Sequence, residues 1–176
     1  MAAMHGMGYL VPILPPTPST AEGLTEEGFK LTREHHWREA IELYRRAITT
    51  DASCQRAYWS LGFALNHVGS HEEAITVLEQ GLALRTQKRE HLGQFHYSLA
   101  FAHSSLKRYD EALDHVNEAL AVNPGSPKIL FLRARIHVFL GNLEEAQNDA
   151  RSVLRRDPDH SGALALVGEL ASLEKS

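Results

Sequence analysis

The sequence lacks the features that define several large classes of protein. Cys54 is the only cysteine among 176 residues, so no disulfide bond forms within the chain, and a reducing, cytoplasmic location is expected. No apolar run reaches the length of about 20 residues that a bilayer-spanning helix needs, which predicts no membrane insertion. The formal net charge of −4 gives no general attraction to nucleic acid, so no nucleic-acid partner is expected.

Charge and proline are unevenly distributed along the chain. Residues 1–20 contain no Asp, Glu, Lys or Arg, yet they contain four of the seven prolines. Because proline lacks an amide donor and clashes with the preceding helical turn, this segment cannot form a helix. We predict an extended or disordered N-terminal arm over residues 1–20, followed by a folded domain over residues 21–176.

From residue 21 onward the sequence repeats with a period close to 34 residues. A Glu-Ala pair recurs four times, at spacings of 34, 38 and 34 residues. The four pairs are Glu39-Ala40, Glu73-Ala74, Glu111-Ala112 and Glu145-Ala146. Such a period is typical of repeat architectures, in which each unit packs only on its neighbours.

Small residues recur at a fixed offset within these units. Twelve positions before the four alanines lie Gly28, Gly62, Ala100 and Ala134, and Gly168 continues the series. Two helices cross closely only where their side chains are small. The pattern therefore predicts two helices in each unit, packed as an antiparallel hairpin.

The turn between the two helices of a unit also has a sequence signal. Gly69 and Gly141 fit the end of a first helix, where glycine accepts a left-handed conformation. Ser70 and Asn142 follow as expected N-caps, each with a glutamate three residues later.

The period and these offsets resemble the tetratricopeptide repeat. The resemblance covers residues 21 to about 176 and implies an all-α fold, a right-handed α-solenoid of antiparallel helical hairpins. The implied units are repeats 21–54, 55–88, 93–126 and 127–160, and a capping helix at 161–175. Residues such as Leu164, Val167 and Leu170 are expected to cover the apolar end of the last repeat.

Two departures from the family pattern affect the prediction. The usual tryptophan is replaced by Leu24, Tyr58, His96 and Leu130. The four extra residues 89–92 between the second and third repeats amount to about one helical turn, so the first helix of the third repeat is expected to begin a turn early.

By the same resemblance, the fifth and ninth positions of each first helix face a concave groove. These positions hold Thr25 and Phe29, Trp59 and Phe63, Tyr97 and Phe101, and Phe131 and Arg135. Each pair has i, i+4 spacing, so its members share one helical face. The predicted partner-binding residues are Phe29, Trp59, Phe63, Tyr97, Phe101, Phe131, Arg135 and Lys128.

Two interpretations of these residues stay open at the level of sequence. The rings either line a groove that grips apolar side chains of a partner, or they pack between adjacent repeats. The basic residues Arg33, Arg56, Lys128 and Arg135 either hold acidic groups of a ligand or are solvated helix ends.

Well-known family members bind the C-terminal carboxylate of chaperones through a clamp of lysine and asparagine. The matching positions here are Thr25, Phe29, Ser60, Gln94 and Ser98. None of them fits the clamp, so we predict no binding of chaperone tails.

The sequence contains no constellation that predicts catalysis. No phosphate-binding glycine loop or nucleophile elbow occurs, and Cys54 has no placed histidine partner. His67 and His71 have i, i+4 spacing, but Gly69 at the expected turn separates them, so we predict neither a metal site nor a cofactor. His103 and His137 hold equivalent positions in successive repeats and are expected to stack.

We therefore predict a non-catalytic scaffold or adaptor that binds a protein partner, a peptide or a helix, in the aromatic groove. The alternative is an accessory domain of a larger complex or enzyme, which acts by self-association or by docking in cis.

Overall fold

The computed structural model describes residues 19–84 and 89–173. Within these ranges the chain forms nine α-helices and no strand. The helices are α1 (Ala21–Arg33), α2 (Trp37–Thr50), α3 (Gln55–His67), α4 (His71–Ala83), α5 (Arg89–Ser105), α6 (Tyr109–Val122), α7 (Pro127–Leu140), α8 (Leu143–Leu154) and α9 (Ser161–Leu173). None of these helices is long and apolar enough to cross a membrane.

The helices pair in chain order as α1–α2, α3–α4, α5–α6 and α7–α8, and α9 packs on α8. This arrangement confirms the all-α solenoid of antiparallel hairpins. Helix α5 begins at Arg89 and has 17 residues, so the early start predicted from the four extra residues is also correct. The predicted N-terminal arm lies outside the described residues except for Ser19 and Thr20, and the hydroxyl of Thr20 caps α1 by accepting from Gly23 N at 3.1 Å.

The turn inside each hairpin contains one residue with a left-handed backbone. Gly69 and Gly141 have φ values of 82° and 79°, as their positions predict. His35 and Lys107 occupy the corresponding turns with φ values of 63° and 62°, although a residue with a Cβ pays for this conformation. The same turn geometry therefore recurs in all four hairpins, with or without glycine.

The predicted N-caps of the second helices behave differently from expectation. Ser70 and Asn142 do precede α4 and α8, but neither side chain makes a capping hydrogen bond. The amide of Asn142 instead lies 3.3 Å from Nδ1 of His137 on the preceding helix. The side chain therefore joins the two helices of the hairpin.

The helices cross where the sequence places small residues. A Cβ on Gly62 would collide with the side chain of Leu78 on α4. A Cβ on Gly81 would lie 2.5 Å from the ring of Phe95 and 2.7 Å from Cβ of Tyr58. Gly62 thus sets the approach of α3 and α4, and Gly81 sets the approach of α4 to the next repeat.

A matched pair of glycine substitutions tests this packing. Gly62→Ala is expected to lower the free energy of unfolding by about 1 kcal/mol or more, because overpacking a filled core costs more than the gain in helix propensity. Gly168→Ala is the control, since a Cβ added there would meet no described atom within 4 Å apart from its chain neighbours and the backbone of its own helix, and it is expected to raise stability by about 0.5–1 kcal/mol. Urea-induced unfolding measures both, and equal shifts of the same sign would contradict the assignment.

Helix α9 covers the last hairpin, and two of the three residues expected to do so contribute to this packing. Leu166 and Leu170 are buried beside Ala146 and Ala150 of α8, and Val167 packs against the same cluster. Leu164 is 52% exposed, so its predicted role in covering the apolar end is wrong. The 3.6-residue period of the helix turns this position away from α8.

Candidate functional site

A chain of four cavities runs along the first helices of the hairpins. Their volumes are about 380, 400, 380 and 410 Å³. Neighbouring cavities share lining residues. Trp59 lines both the first and the fourth cavity, and Tyr97 and Lys128 each line the second, third and fourth. The cavities therefore form one continuous depression over α1, α3, α5, α7 and the loop before α9, which we call the groove.

The structure places all eight candidate binding residues in the lining of the groove. They are Phe29, Trp59, Phe63, Tyr97, Phe101, Lys128, Phe131 and Arg135. Each of the six rings is half-buried. Trp59, Tyr97, Phe101 and Phe131 also pack against the hydrophobic clusters between repeats. These rings therefore pack between repeats and line a cavity at the same time, and the gripping of a partner's side chains stays a prediction.

Thr25 does not reach the groove, although the fifth position of its helix was expected to face it. Its side chain is fully buried, its hydroxyl donates to the carbonyl oxygen of Ala21 at 2.7 Å, and it lies 4.0 Å from Sγ of Cys54. Ser60 and Ser98, two further positions of the clamp, are 1% and 2% exposed. Thr25 and Ser60 thus line none of the four cavities, whereas the buried Ser98 forms part of the wall of the second and fourth.

Two aromatic side chains beside the groove were missed by the sequence analysis. Trp37 stacks on His67 with ring centroids 4.1 Å apart and planes 9° apart. Both rings contact Phe63, at 6.2 and 4.7 Å. Phe63 is in turn 5.8 Å from Trp59, which is 6.1 Å from Phe29. A continuous series of rings therefore joins the first two repeats.

The sequence does contain a signal for these contacts, because aromatic residues occupy equivalent positions in different repeats. Trp37 and Tyr109 both begin the second helix of a hairpin. Each stacks on a ring near the end of the following first helix, and Tyr109 lies 4.8 Å from Phe139 with planes 5° apart. The contact spans about 30 residues, so a search within single helices does not find it.

The positive charges along the groove differ in whether they have a partner. Arg56 donates to Glu26 at 3.0 Å and its guanidinium lies 4.5 Å from the ring centre of Phe29. Lys128 lies with its ammonium 4.1 Å from the ring centre of Tyr97. Desolvation by the surrounding protein lowers the pKa of Lys128 and raises the pKa of Tyr97 to about 12. Arg33 is exposed and lines none of the four cavities.

The indole nitrogen of Trp59 and the amide nitrogen of Gln55 are buried with no acceptor among the described residues. Both residues line the first cavity, and Trp59 also lines the fourth. Buried donors are nearly always paired in native proteins. These two nitrogen atoms lie beneath the surface of the groove, so a ligand in the cavities does not reach them.

Three histidines gather between α5 and α6, away from the groove. Nδ1 of His96 lies 3.1 Å from Nδ1 of His115, and His103 stacks on His115 with centroids 5.3 Å apart. The expected stacking of His103 with His137 is therefore wrong, because the nearer ring belongs to the second helix of the same hairpin. Burial lowers the pKa of all three, that of His115 to about 4.

In the described part of the chain no group of three or more His, Cys, Asp or Glu is placed to hold a metal ion, the three histidines between α5 and α6 included. His67 lies against Trp37, while Nδ1 of His71 lies 3.0 Å from Oδ1 of Asn66. Cys54 is buried at the start of α3. These side chains serve packing and local hydrogen bonding.

Comparison with known proteins identifies the family of the repeats. Residues 31–130 match the model of the tetratricopeptide repeat protein 21 C-terminal ARM domain, and residues 105–170 match a tetratricopeptide repeat model. The first match alone covers more than half of the 176 residues. The chain therefore belongs to the tetratricopeptide-repeat family.

Curated relatives share only part of their length with the chain. The peptidyl-prolyl cis-trans isomerase FKBP42 of Arabidopsis thaliana is 29% identical over 150 residues, which are 85% of this chain and 35% of that protein. The photosystem I assembly protein Ycf3 of Synechococcus elongatus is 35% identical over 94 residues, which are 53% of this chain and 54% of that protein. The chain thus spans about half or less of these two relatives.

Solved structures of the same architecture superpose on most of the chain. YrrB, described as a tetratricopeptide-repeat protein with an unusual peptide-binding site, has a TM-score of 0.71 at 21% identity, covering 89% of this chain and 79% of that one. A chain of the APC/C hetero-tetramer Cut9-Hcn1 has a TM-score of 0.81 at 19% identity, covering 86% of this chain and 30% of that one. At these identities the similarity shows the fold alone.

Proposed function

We propose that the protein is a non-catalytic interaction scaffold that binds a segment of a partner protein in the groove. The observation that carries the proposal is the continuity of the four cavities, which expose part of six aromatic rings on one face. Aromatic side chains with one face packed and one face free are typical anchors of binding hot spots. The peptide-binding site described for the similar structure YrrB supports the same function.

The proposal excludes catalysis in this part of the chain. Neither matching family model describes an enzyme. The match to FKBP42 covers 35% of that isomerase, so its activity is not transferred. The chaperone-tail specificity of some family members is not transferred either, because Thr25, Ser60 and Ser98 are buried.

A selection from a phage-displayed library of random 12-residue peptides tests the groove. Phe101→Ala is expected to weaken the selected peptides by about 30-fold or more, which corresponds to a hot-spot loss of about 2 kcal/mol. Because Phe101 is half-buried, Phe101→Ala should lower the free energy of unfolding by more than truncation of an exposed aromatic residue does, and by less than truncation of a core one. Isothermal titration calorimetry gives the affinity, and circular dichroism checks that the variant is folded.

The matched control is Leu143→Ala, since Leu143 is 41% exposed and lines none of the four cavities. Its peptide affinity is expected to equal that of the unmodified protein. The proposal would be overturned if the selected peptides lost equal affinity for both variants, or lost affinity for neither, because binding would then lie outside the groove.

Self-association is the alternative function. It is favoured by Phe139, Leu143 and Leu164, which are 56%, 41% and 52% exposed on the last three helices. Light scattering across a dilution series distinguishes the two functions, because a scaffold for other proteins keeps the mass of one chain at all concentrations.

A further inference from the structure

Lys128 has a central place in the groove. It lines three of the four cavities, those of about 400, 380 and 410 Å³. Its ammonium lies 4.1 Å from the ring centre of Tyr97, and no carboxylate of the described residues lies within the 4.0 Å of an ion pair. The partial desolvation of this cation is reflected in its lowered pKa.

Other cations that bridge helices in this protein have an acidic partner. Arg56 pairs with Glu26, Arg108 with Glu72 and Arg133 with Asp149. Arg135, about two turns beyond Lys128 on the same helix, also lacks a carboxylate within 4.0 Å among the described residues. Asp157 also lines the third cavity, but it lies within 4.0 Å of neither cation. The α7 end of the groove therefore carries two cations without an ion-pair partner among the described residues, and a desolvated cation gains free energy from a counter-ion.

The fourth cavity joins this charge to an aromatic ring. Trp59 and Lys128 both line that cavity, and the side chain of Trp59 is half-buried. The indole nitrogen itself is buried and out of reach of a ligand. The cavity therefore presents a cation beside an aromatic side chain to whatever enters it.

The second cavity provides an apolar binding pocket beside the positive charge of Lys128. It lies between Phe63, Tyr97 and Phe101, and Lys128 forms part of its edge. Its volume of about 400 Å³ exceeds that of one large apolar side chain. An occupant of the groove thus meets an apolar contact and a positive charge within a few ångströms of each other.

We propose that the groove selects a linear segment in which an Asp or Glu side chain lies within about three positions of a bulky apolar residue. The carboxylate pairs with Lys128, and the apolar side chain enters the cavity between Phe63 and Phe101. The recognised carboxylate belongs to a side chain and not to a chain terminus. This inference rests on the proposed function and names the chemistry of its partner.

The test uses peptides from the random 12-residue library, made with amidated C-termini so that no terminal carboxylate is present. We expect selected peptides to contain Asp or Glu near a bulky apolar residue. Replacing that acid with its amide should weaken binding to the unmodified protein by about 10-fold to 100-fold, the range of a charge-assisted hydrogen bond. The acidic peptide should bind Lys128→Gln more weakly than the unmodified protein by the same factor. The amide peptide should bind the two proteins with nearly equal affinity.

The control variant Arg46→Gln removes an exposed cation from α2, outside the groove, and should leave both affinities unchanged. Two results would overturn the inference while leaving the proposed function intact. In the first, peptides whose binding depends on Phe101 carry no acidic residue. In the second, such peptides bind Lys128→Gln as tightly as the unmodified protein. Peptides that resemble the chain's own uncharged residues 9–18, or that bind only with a free C-terminus, would overturn it too. If no selected peptide depends on Phe101, the proposed function itself fails.

Discussion

Replacing Arg133 with methionine is expected to lower the free energy of unfolding by about 3–5 kcal/mol. Nε and Nη2 of Arg133 donate to the two carboxylate oxygens of Asp149 at 2.7 and 2.8 Å, and Nη1 donates to Asn117 at 3.0 Å. Asp149 is only 7% exposed, so the substitution leaves a buried carboxylate without its counter-ion. The loss is large because the desolvation of the carboxylate is then uncompensated.

Two further variants separate the ion pair from the general effect of removing an arginine. Arg135→Met removes an exposed arginine two positions along the same helix, and a change within about 0.5 kcal/mol is expected. The double variant Arg133→Met with Asp149→Leu should regain much of the loss, since no unpaired charge then remains. Urea-induced unfolding measures all three proteins. A loss in Arg133→Met no larger than that in Arg135→Met would show that the pair contributes little.

The fold was predictable because each repeat encodes its own hairpin. Gly62 must approach Leu78, and Gly141 must turn the chain, and both requirements lie within a single unit of about 34 residues. The period between the units then implies that the hairpins stack. The start of α5 followed from counting residues between two copies of the pattern. None of these inferences needed a contact between distant segments.

The groove was predictable only in part, because its details depend on how adjacent repeats fit together. The groove-facing side of each first helix followed from the resemblance to the family, and Phe63 and Phe101 do line a cavity there. The burial of Thr25 goes with its contact with Cys54, the residue that directly precedes α3 of the next repeat. The stacking of Trp37 on His67 likewise joins two repeats. Such contacts depend on the angle between hairpins, which no local pattern specifies.

Acidification from neutral pH is expected to destabilise the protein through its buried histidines. Desolvation is the main cause that lowers the pKa of His115 to about 4, and repulsion from His96 and His103 adds to it. In the unfolded chain the same side chain binds a proton near its ordinary pKa of about 6.5. The folded state therefore binds fewer protons between about pH 6.5 and 4, and the free energy of unfolding falls as the pH drops through this window.

The size of the effect depends on how many histidines remain neutral in the folded state. Each contributes up to about 1.4 kcal/mol per pH unit within its own window. Desolvation lowers the pKa of His96 and His103 in the same hairpin, and of His67 and His137 elsewhere, so all of them add in the same direction. The carboxylates of Asp114 and Glu118 act against the shift of His115 without reversing it.

The variant His115→Gln isolates the part that belongs to the cluster between α5 and α6. It removes one titrating ring and the repulsion it exerts, so its stability should fall less steeply than that of the unmodified protein between pH 6.5 and 4. Urea-induced unfolding at intervals of half a pH unit gives the slopes. Equal slopes for His115→Gln and the unmodified protein would mean that the cluster is protonated alike in the folded and unfolded states, and that its burial has no part in the response to acid.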